Sequence, residues 1–600
     1  MEPRLAEIDA AVTAVPAGQG YLVVDTERGE RSYLLGPRTQ TDATPPMLDW
    51  RSSPLAEAFF RAAPGEPYEL ETGERTTEGT VRERWLIVGR GKVDALIGDD
   101  LIVHRDGRVE PRPRPAPIAG PIPDRSALVV LDPEQQRAVD LPADTSLVID
   151  GEAGVGKTLV ALYRVASLAR RARDKSRRFR ALVLVPTEGL RRLVRLLADR
   201  LQIDKLEIAV LDPWLVKRAR LAFPGLPEKL SEGASAQVIA IKRHPAVREV
   251  LADFIGWKLP PGVGRDDKIA RSRQRLLHLW GDRDRLQRVL DASHGVLQPR
   301  AITAAMQHTR IQFETTTERA NRHVDADRLV ALDGKSLDSG TPMEDAHTFD
   351  AEDVPVLFEL LRRGALPSAA ELPVYDHIVI DEAQLRAPME LAAIGDALAP
   401  HGTITLAGDH RQATDETAYF AGWDAAREEL GLARWDAITL AITYRSVPAI
   451  AELARAWQLP AEPPADPAVW ASQCDGALAQ ATALCWHLDA LLTRDPWRQI
   501  AIIARTPEHA RRLYAELARG LDPALVLDGD FRFEPGVIVT TAAAVSGLEF
   551  DVVVLPDLSS AFYPSGQPEL ARALYVAATR ARDWLWLLTP ETWSPLVRAP

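Results

Sequence analysis

Cysteine is nearly missing from this chain, with Cys474 and Cys485 the only two among 600 residues. Two thiols cannot build a disulfide framework or a zinc cluster, so they read as small buried hydrophobes, and their scarcity fits a reducing cytoplasm. Long apolar runs are lacking too: although 46% of the residues are hydrophobic, none of the runs reaches the roughly eighteen residues that a membrane span needs. The opening Met1-Glu2-Pro3-Arg4 carries no secretion-signal pattern, and no self-similarity at solenoid periods is visible. A soluble cytoplasmic protein with no membrane partner is expected. Positive charge is in deficit, since 72 Lys and Arg face 85 Asp and Glu for a net charge of -13. A general nucleic-acid coat draws its affinity from a basic surface that releases counterions, so any nucleic-acid contact here must be local. One local candidate is the stretch 164–200, where Arg170, Arg171, Arg173, Lys175, Arg177, Arg178 and Arg180 outnumber the acids; a solvated helical face is its bland alternative.

The length exceeds what one core can serve and suggests roughly three to five domains. Residues 20–110 read as short strands with turn signals, as in Gly20-Tyr21-Leu22-Val23-Val24-Asp25 and Trp85-Leu86-Ile87-Val88, which predicts a small β-rich N-terminal module over 1–110. Pro111-Arg112-Pro113-Arg114-Pro115-Ala116-Pro117 favours extended polyproline and marks a linker over 111–130. Strands then alternate with helices, which predicts a parallel α/β lobe over 131–187 that resumes over 371–434. The intervening 188–370 reads as a mainly helical, charged insertion, and a second α/β lobe is expected over 435–600.

Chemistry concentrates in three places. The run Ser146-Leu147-Val148-Ile149-Asp150-Gly151-Glu152-Ala153-Gly154-Val155-Gly156-Lys157-Thr158 places the pattern GxxxxGK[ST] between a strand-like and a helical segment. In that context Gly151, Gly154 and Gly156 bare backbone N–H groups to phosphate at a helix N-terminus, Lys157 reaches the β- and γ-phosphates, and Thr158 offers its hydroxyl to Mg²⁺. A nucleoside triphosphate, ATP, is the expected ligand. Second, His377-Ile378-Val379-Ile380 is a continuous apolar strand that ends in Asp381-Glu382. Ligands of open parallel sheets sit outside the strand carboxyl ends, so Asp381 is expected to hold Mg²⁺ and Glu382 to deprotonate the water that attacks the γ-phosphate. Third, Thr403-Ile404-Thr405-Leu406-Ala407 runs into Gly408-Asp409-His410-Arg411-Gln412, which nominates Gln412 as a γ-phosphate sensor. Phosphoryl transfer also needs positive charge on the equatorial oxygens, and Arg445 and Arg580 are the candidates from the second lobe.

Taken in order, these segments resemble superfamily 1 helicase-type ATPases of the UvrD/Rep class over most of 131–590. The resemblance implies two RecA-like P-loop NTPase lobes with a helical insertion in the first, ATP with Mg²⁺ between the lobes, and a helicase or translocase acting on single-stranded or duplex DNA. Leu131-Asp132-Pro133-Glu134-Gln135-Gln136 is similar to the adenine-reading Q motif of that family, which makes Gln135 the adenine contact. Tyr444 inherits the residue that stacks on adenine, and in Val545-Ser546-Gly547-Leu548-Glu549 the pair Gly547 and Glu549 matches the motif whose glutamate meets the ribose. A closer resemblance is to the HelD branch, whose members bind bacterial RNA polymerase and release it from stalled complexes. It is carried by Leu48-Asp49-Trp50-Arg51-Ser52-Ser53-Pro54 with Phe59-Phe60, by Gly79-Thr80-Val81-Arg82-Glu83-Arg84, by Val160-Ala161-Leu162-Tyr163-Arg164-Val165-Ala166 and by Asp350-Ala351-Glu352-Asp353-Val354-Pro355.

The departures from these families bear on the partner. Only about twenty residues precede the first strand, where the HelD branch begins with a long helical hairpin. Ser546 replaces the family lysine, and Leu385 replaces the acid that follows Asp-Glu-x-Gln. A short loop between 525–527 and 537–540 leaves no room for the large domain that UvrD-type helicases insert in the second lobe. Val185-Pro186-Thr187-Glu188 lacks the aromatic that those helicases place near single-stranded DNA, with Tyr419, Phe420 and Trp423 as substitutes. A DNA motor and a factor that remodels RNA polymerase are therefore the two expectations.

Overall fold

The computed structural model describes every residue except 1, 16–17, 73–74, 90, 113–130, 153, 204–205, 258–269, 326–327, 332, 442–446, 459–465 and 598–600. Most of the expected linker, Tyr444 and Arg445 lie outside the described residues. The chain forms two compact units, Leu128–Ile442 and the combination of Met1–Ala127 with Thr443–Pro600. Both are α/β in architecture.

In Leu128–Ile442 six strands pair in parallel in the order Glu207–Val210, Ala181–Val185, Tyr375–Ile380, Leu398–Gly408, Ser146–Gly151, Trp435–Leu440. Ala181–Val185 is buried at every position, as a strand of a parallel sheet covered on both faces must be, and this is why it reads as an unbroken apolar run. Val379 pairs with Thr405, which in turn pairs with Leu147. The third strand thus lies between the strand that precedes the glycine-rich loop and the strand that ends in two acids. All three deliver their loops to one edge of the sheet.

Two boundaries differ from expectation. Glu188–Arg200 is a helix that leads into the edge strand Glu207–Val210, so the insertion starts at Leu211, not at 188. Trp435–Leu440 pairs along Ser146–Gly151 and completes the first sheet, whereas a second lobe was expected to begin at 435. The insertion itself is helical, including Leu211–Ala222, Ala236–Arg243, Ala270–Trp280, Arg283–Ala292, Arg300–Phe313 and Asp353–Arg362. Its Trp214, Trp280 and Phe358 belong to the same apolar cluster as Leu182, Ile378 and Ile380 of the sheet. A buried ion network sits inside it. The Lys242 ammonium is 2.5 Å from Asp350 and 2.8 Å from Asp353, Trp280 Nε1 donates to Asp353, and Gln312 Nε2 donates to Asp350. Buried charges persist only when paired and hydrogen-bonded in this way. The stretch from Asp350 to Asp353 therefore has an internal packing role.

The other unit holds a second parallel sheet, ordered Val469–Gln473, Ala581–Thr589, Phe550–Leu555, Gln499–Ala504, Gly536–Thr541, Ala524–Leu525. Residues 526–535 join its last two strands directly. The N-terminal part forms an eight-stranded, mostly antiparallel sheet, with the helix Glu2–Ala14 placing Ile8 and Val12 against Tyr21 and Leu34. The opposite side of this sheet shares a core with the second α/β part: Leu22, Trp50, Phe59 and Phe60 cluster with Leu478, Leu484, Trp486 and Leu513. Phe59 lies 5.5 Å from Trp486, ring centre to ring centre. Trp50 is buried beneath Arg51, whose guanidinium is 4.7 Å from the indole and 3.2 Å from Glu516. These residues carry part of the family resemblance, and here they join two sheets. No helix among the described residues is long and apolar enough to cross a membrane.

Candidate active site

The glycine-rich loop follows Ser146–Gly151 and opens the helix Lys157–Asp174. Gly156 caps that helix at φ 86°, a left-handed conformation that a side chain penalises. Gly151 is required by proximity, since a Cβ there would lie 2.7 Å from the Leu440 carbonyl oxygen. The Lys157 ammonium curls over the loop and donates to the carbonyls of Gly151 and Glu152, each at 2.8 Å. It is nearly buried, so it presents a concentrated charge inside the loop's concavity.

Thr158, on the first turn of the helix, donates its hydroxyl to Asp381 Oδ2 at 2.7 Å. Two segments 223 residues apart are thereby joined at the sheet edge. Burial, reinforced by the neighbouring Glu382, pushes the Asp381 carboxyl up to about 6, against the opposing pull of Thr158 and Lys157. A hydroxyl and a carboxylate are hard oxygen donors of the type Mg²⁺ takes, and a divalent ion between them would offset the burial that disfavours the charged carboxylate. The donor set fits the ion.

Glu382 occupies the left-handed region at φ 51° and ψ 44°. For a residue with a side chain this conformation costs on the order of 1–3 kcal/mol and persists where neighbours over-determine it. The neighbour is Gln384, which sequence reasoning quoted without giving it a role. Gln384 Nε2 donates to Glu382 Oε2 at 2.6 Å while its Oε1 accepts from the Asp409 backbone N–H at 3.2 Å. One amide thus ties the acidic strand end to the loop bearing Gln412. Gly408 makes room for it, since a Cβ there would meet Gln384 Oε1 at 2.2 Å. A polar side chain two positions after a pair of acids was the available signal.

Gln412 is buried and donates from Nε2 to Asp409 Oδ2 at 2.9 Å, and burial raises the Asp409 carboxyl, with Lys157 pulling the other way. His410 meets Asp150 at 3.0 Å and Arg411 pairs with Glu152 at 2.5 Å, which clamps this loop onto the strand and loop before Lys157. Behind it stands Arg243 from the insertion, 3.0 Å from Glu390 and 2.5 Å from Asp415, and donating to the Leu385 carbonyl at 3.1 Å. No sequence pattern singled Arg243 out. Tyr419 donates to the Ala240 carbonyl and packs on His244, and Trp423 packs against the apolar cluster; these two aromatics serve packing.

Gln135 is buried beside the loop, with Oε1 accepting from Asp132 N–H and Nε2 donating to the Val155 carbonyl at 3.0 Å. Its amide braces the glycine-rich loop. Of the basic stretch, Arg164 is wholly buried and donates to the carbonyls of Ala138, Leu141, Pro142 and Thr145, while Arg191 pairs with Glu188. Gly547, Glu549 and Arg580 fall in the other unit, where Arg580 Nη1 reaches the Leu548 carbonyl and its Nε donates to the Val576 carbonyl at 2.9 Å. Gly547 takes φ 73°. Arg580 therefore braces the turn that carries Gly547 and Glu549.

Residues 536–588 match the family profile of the UvrD-like helicase C-terminal domain. This span contains Gly547, Glu549 and Arg580, and the match supports membership of a broad helicase-like superfamily. Among solved structures, the C-terminal domain of a possible DNA helicase from Lactobacillus plantarum WCFS1 is similar, at 25% identity over 26% of this chain and 95% of that chain, with a TM-score of 0.23. The DEAD-box helicase Mss116 bound to ssRNA and UDP-BeF is also similar, at 11% identity over 76% of this chain and 69% of that chain, with a TM-score of 0.34. No curated protein gives a match.

Proposed function

We propose that the chain is a superfamily 1, helicase-type ATPase that hydrolyses ATP with Mg²⁺ and uses the cycle to move on or remodel nucleic-acid complexes. The observation that carries this reading is the Thr158–Asp381 hydrogen bond of 2.7 Å, which joins the phosphate-loop helix to the acidic strand end as a shared metal site requires. Lys157 binds the β- and γ-phosphates, and the loop N–H groups hold their oxygens. Thr158 and Asp381 hold Mg²⁺, which when bound neutralises charge on the transferring phosphoryl group. Glu382 takes the proton of the attacking water as the new P–O bond forms and the β–γ bridging bond breaks, giving ADP and phosphate. Gln412, whose loop is fixed to Glu382 through Gln384, senses the γ-phosphate. Gln135 and Tyr444 hold the adenine and Glu549 the ribose. Arg445 and Arg580 supply charge to the transition state, Arg580 after exchanging its present carbonyl partners for phosphate.

A second reading is a HelD-like factor that remodels or recycles RNA polymerase with little unwinding. The direct connection of Gly536–Thr541 to its neighbour through 526–535 and the charge of -13 support it. Steady-state ATP hydrolysis measured alone, with single-stranded DNA and with core RNA polymerase separates the two. Stimulation by DNA supports the motor and stimulation by polymerase alone the remodelling factor. Glu382→Gln should retain nucleotide binding and lose turnover by about 10²-fold or more; near-normal hydrolysis in that variant would refute the assignment.

A further inference from the structure

The helical insertion carries an open cavity of about 1060 Å³ that the proposed ATPase cycle does not use. Lys229, Arg273, Arg319 and Arg322 line it, against the two acids Glu228 and Glu318. Among the described residues no carboxylate pairs with Arg273, Arg319 or Arg322. Arg273 forms the floor. It lies over the Phe313 ring at 4.5 Å, contacts His347 Nδ1 at 3.2 Å and donates to the Gln312 carbonyl at 3.0 Å, while its Nε is buried with no partner. His347 takes φ 57°, a conformation that a non-glycine residue keeps only where its surroundings impose it. Burial and then the adjacent charges of Arg273 and Arg319 hold the His347 imidazole below its usual range, and burial with Arg319 lowers Arg273 as well. Cations packed at their own expense, with no internal anion to relieve them, favour an external one.

We propose that this cavity binds a compact polyphosphate-bearing anion, either a bare polyphosphate or a nucleoside polyphosphate whose base stacks on the Phe313 side. The volume suits a ligand of nucleotide size. The charges converge on a concavity, whereas a nucleic-acid backbone is met by cations spaced along a surface. Arg273 at the floor offers a planar fork for phosphate oxygens, and Arg319 and Arg322 at the exposed rim draw the ligand in.

The site is independent of the ATPase reading and is tested apart from it. Inorganic tripolyphosphate is titrated calorimetrically into Lys157→Ala protein, whose glycine-rich loop has lost its cation, and into the same protein with Arg319→Ala and Arg322→Ala added. Each lost charged contact is worth roughly tenfold in affinity, so binding should be saturable in the first protein and at least about tenfold weaker in the second. Circular dichroism establishes that both are folded, and the second is expected to match the first because Arg319 and Arg322 are exposed. ATP binding tighter than tripolyphosphate assigns a nucleoside ligand, and equal binding a bare polyphosphate. No binding, equal affinity in the two proteins, or a loss confined to a single-stranded oligonucleotide would overturn the proposal.

Discussion

Replacing Arg243 by methionine tests how the insertion governs the candidate site. The guanidinium is 10% exposed and its partner Glu390 8% exposed, with Asp415 more open at 38%. Truncation leaves a buried carboxylate without its cation, for which the cost is about 3–5 kcal/mol. Because Asp415 recovers part of its hydration, the lower end, about 3 kcal/mol, is expected. The loss falls on two segments at once. Arg243 also donates to the Leu385 carbonyl and to Thr417 Oγ1 at 2.7 Å, so the stretches after Glu382 and after Gln412 share one anchor. Hydrogen exchange should therefore quicken by about 10²-fold at amides of 385–390 and 412–419, while the sheet interior stays protected. ATP hydrolysis should fall by about tenfold to 10²-fold, since a shift near 1 Å at such groups carries a penalty of that order. Arg243→Lys, which keeps the charge and loses the fork, should fall between the two. Unchanged exchange would refute the anchor, and faster exchange with unchanged hydrolysis would refute its bearing on the site.

Burial, then a backbone hydrogen bond in opposition and the Asp350 charge, leaves the half-buried Glu352 carboxyl pushed up to about 7. The folded chain keeps a proton that the unfolded chain releases near pH 4–5, so this group's contribution to stability declines as pH rises from about 4 to about 7 and stays low above that. Glu352→Gln should remove this slope and stabilise the protein at pH 8 by about 1–3 kcal/mol, read from denaturant titrations at pH 5 and 8; a larger gain at pH 5 would contradict the assignment. Phe59→Ala empties a fully buried position at a cost of about 3–5 kcal/mol. Because Phe59 belongs to the core shared with Trp486 and Leu513, protection should drop together in the N-terminal sheet and in the second parallel sheet, and a drop confined to the former would show that the core is not shared.

The parts of the site that the sequence reveals are those whose chemistry is written in consecutive residues. The run from Ser146 to Thr158 declares a strand, a glycine-rich turn and a helix start within one short stretch, and Asp381-Glu382 follows an apolar strand of the right type. What joins them is not consecutive. Gln384 matters because the Asp409 N–H arrives from a different strand, and Arg243 because its four partners are spread from Leu385 to Thr417. No periodicity carries such pairings. Trp435–Leu440 reads as the start of a second lobe because the α/β pattern pauses after Ala407, whereas the strand pairs along Ser146–Gly151, far earlier in the chain. The N-terminal module shows a similar limit: Trp50, Phe59 and Phe60 announce a core but not whose core it is, and they pack on Leu478 and Trp486.

Charge placement brings these points to bear on the partner. Among the described residues buried acids such as Asp350, Asp353, Asp381 and Glu382 offset the buried cations, so the surface keeps the acidic excess of the sequence, and several cations are spent inside: Arg164 on four carbonyls, Lys242 on two aspartates, Arg84 on Asp99 and the carbonyls of Phe59 and Phe60, and Arg498 on Asp495 and Asp583. Cations buried in this way contribute packing and hydrogen bonds but little attraction for a polyanion outside. Long-range steering toward DNA is therefore weak, and DNA affinity, if the motor reading holds, must come from a few local contacts. Its logarithmic salt slope should then correspond to only a few neutralised phosphates, well short of the value near ten known for strongly basic binding surfaces. A steep slope would place an unrecognised cationic surface on this protein. A shallow slope with strong stimulation of hydrolysis would favour the motor, and weak DNA binding of any slope beside tight polymerase binding would favour the remodelling factor.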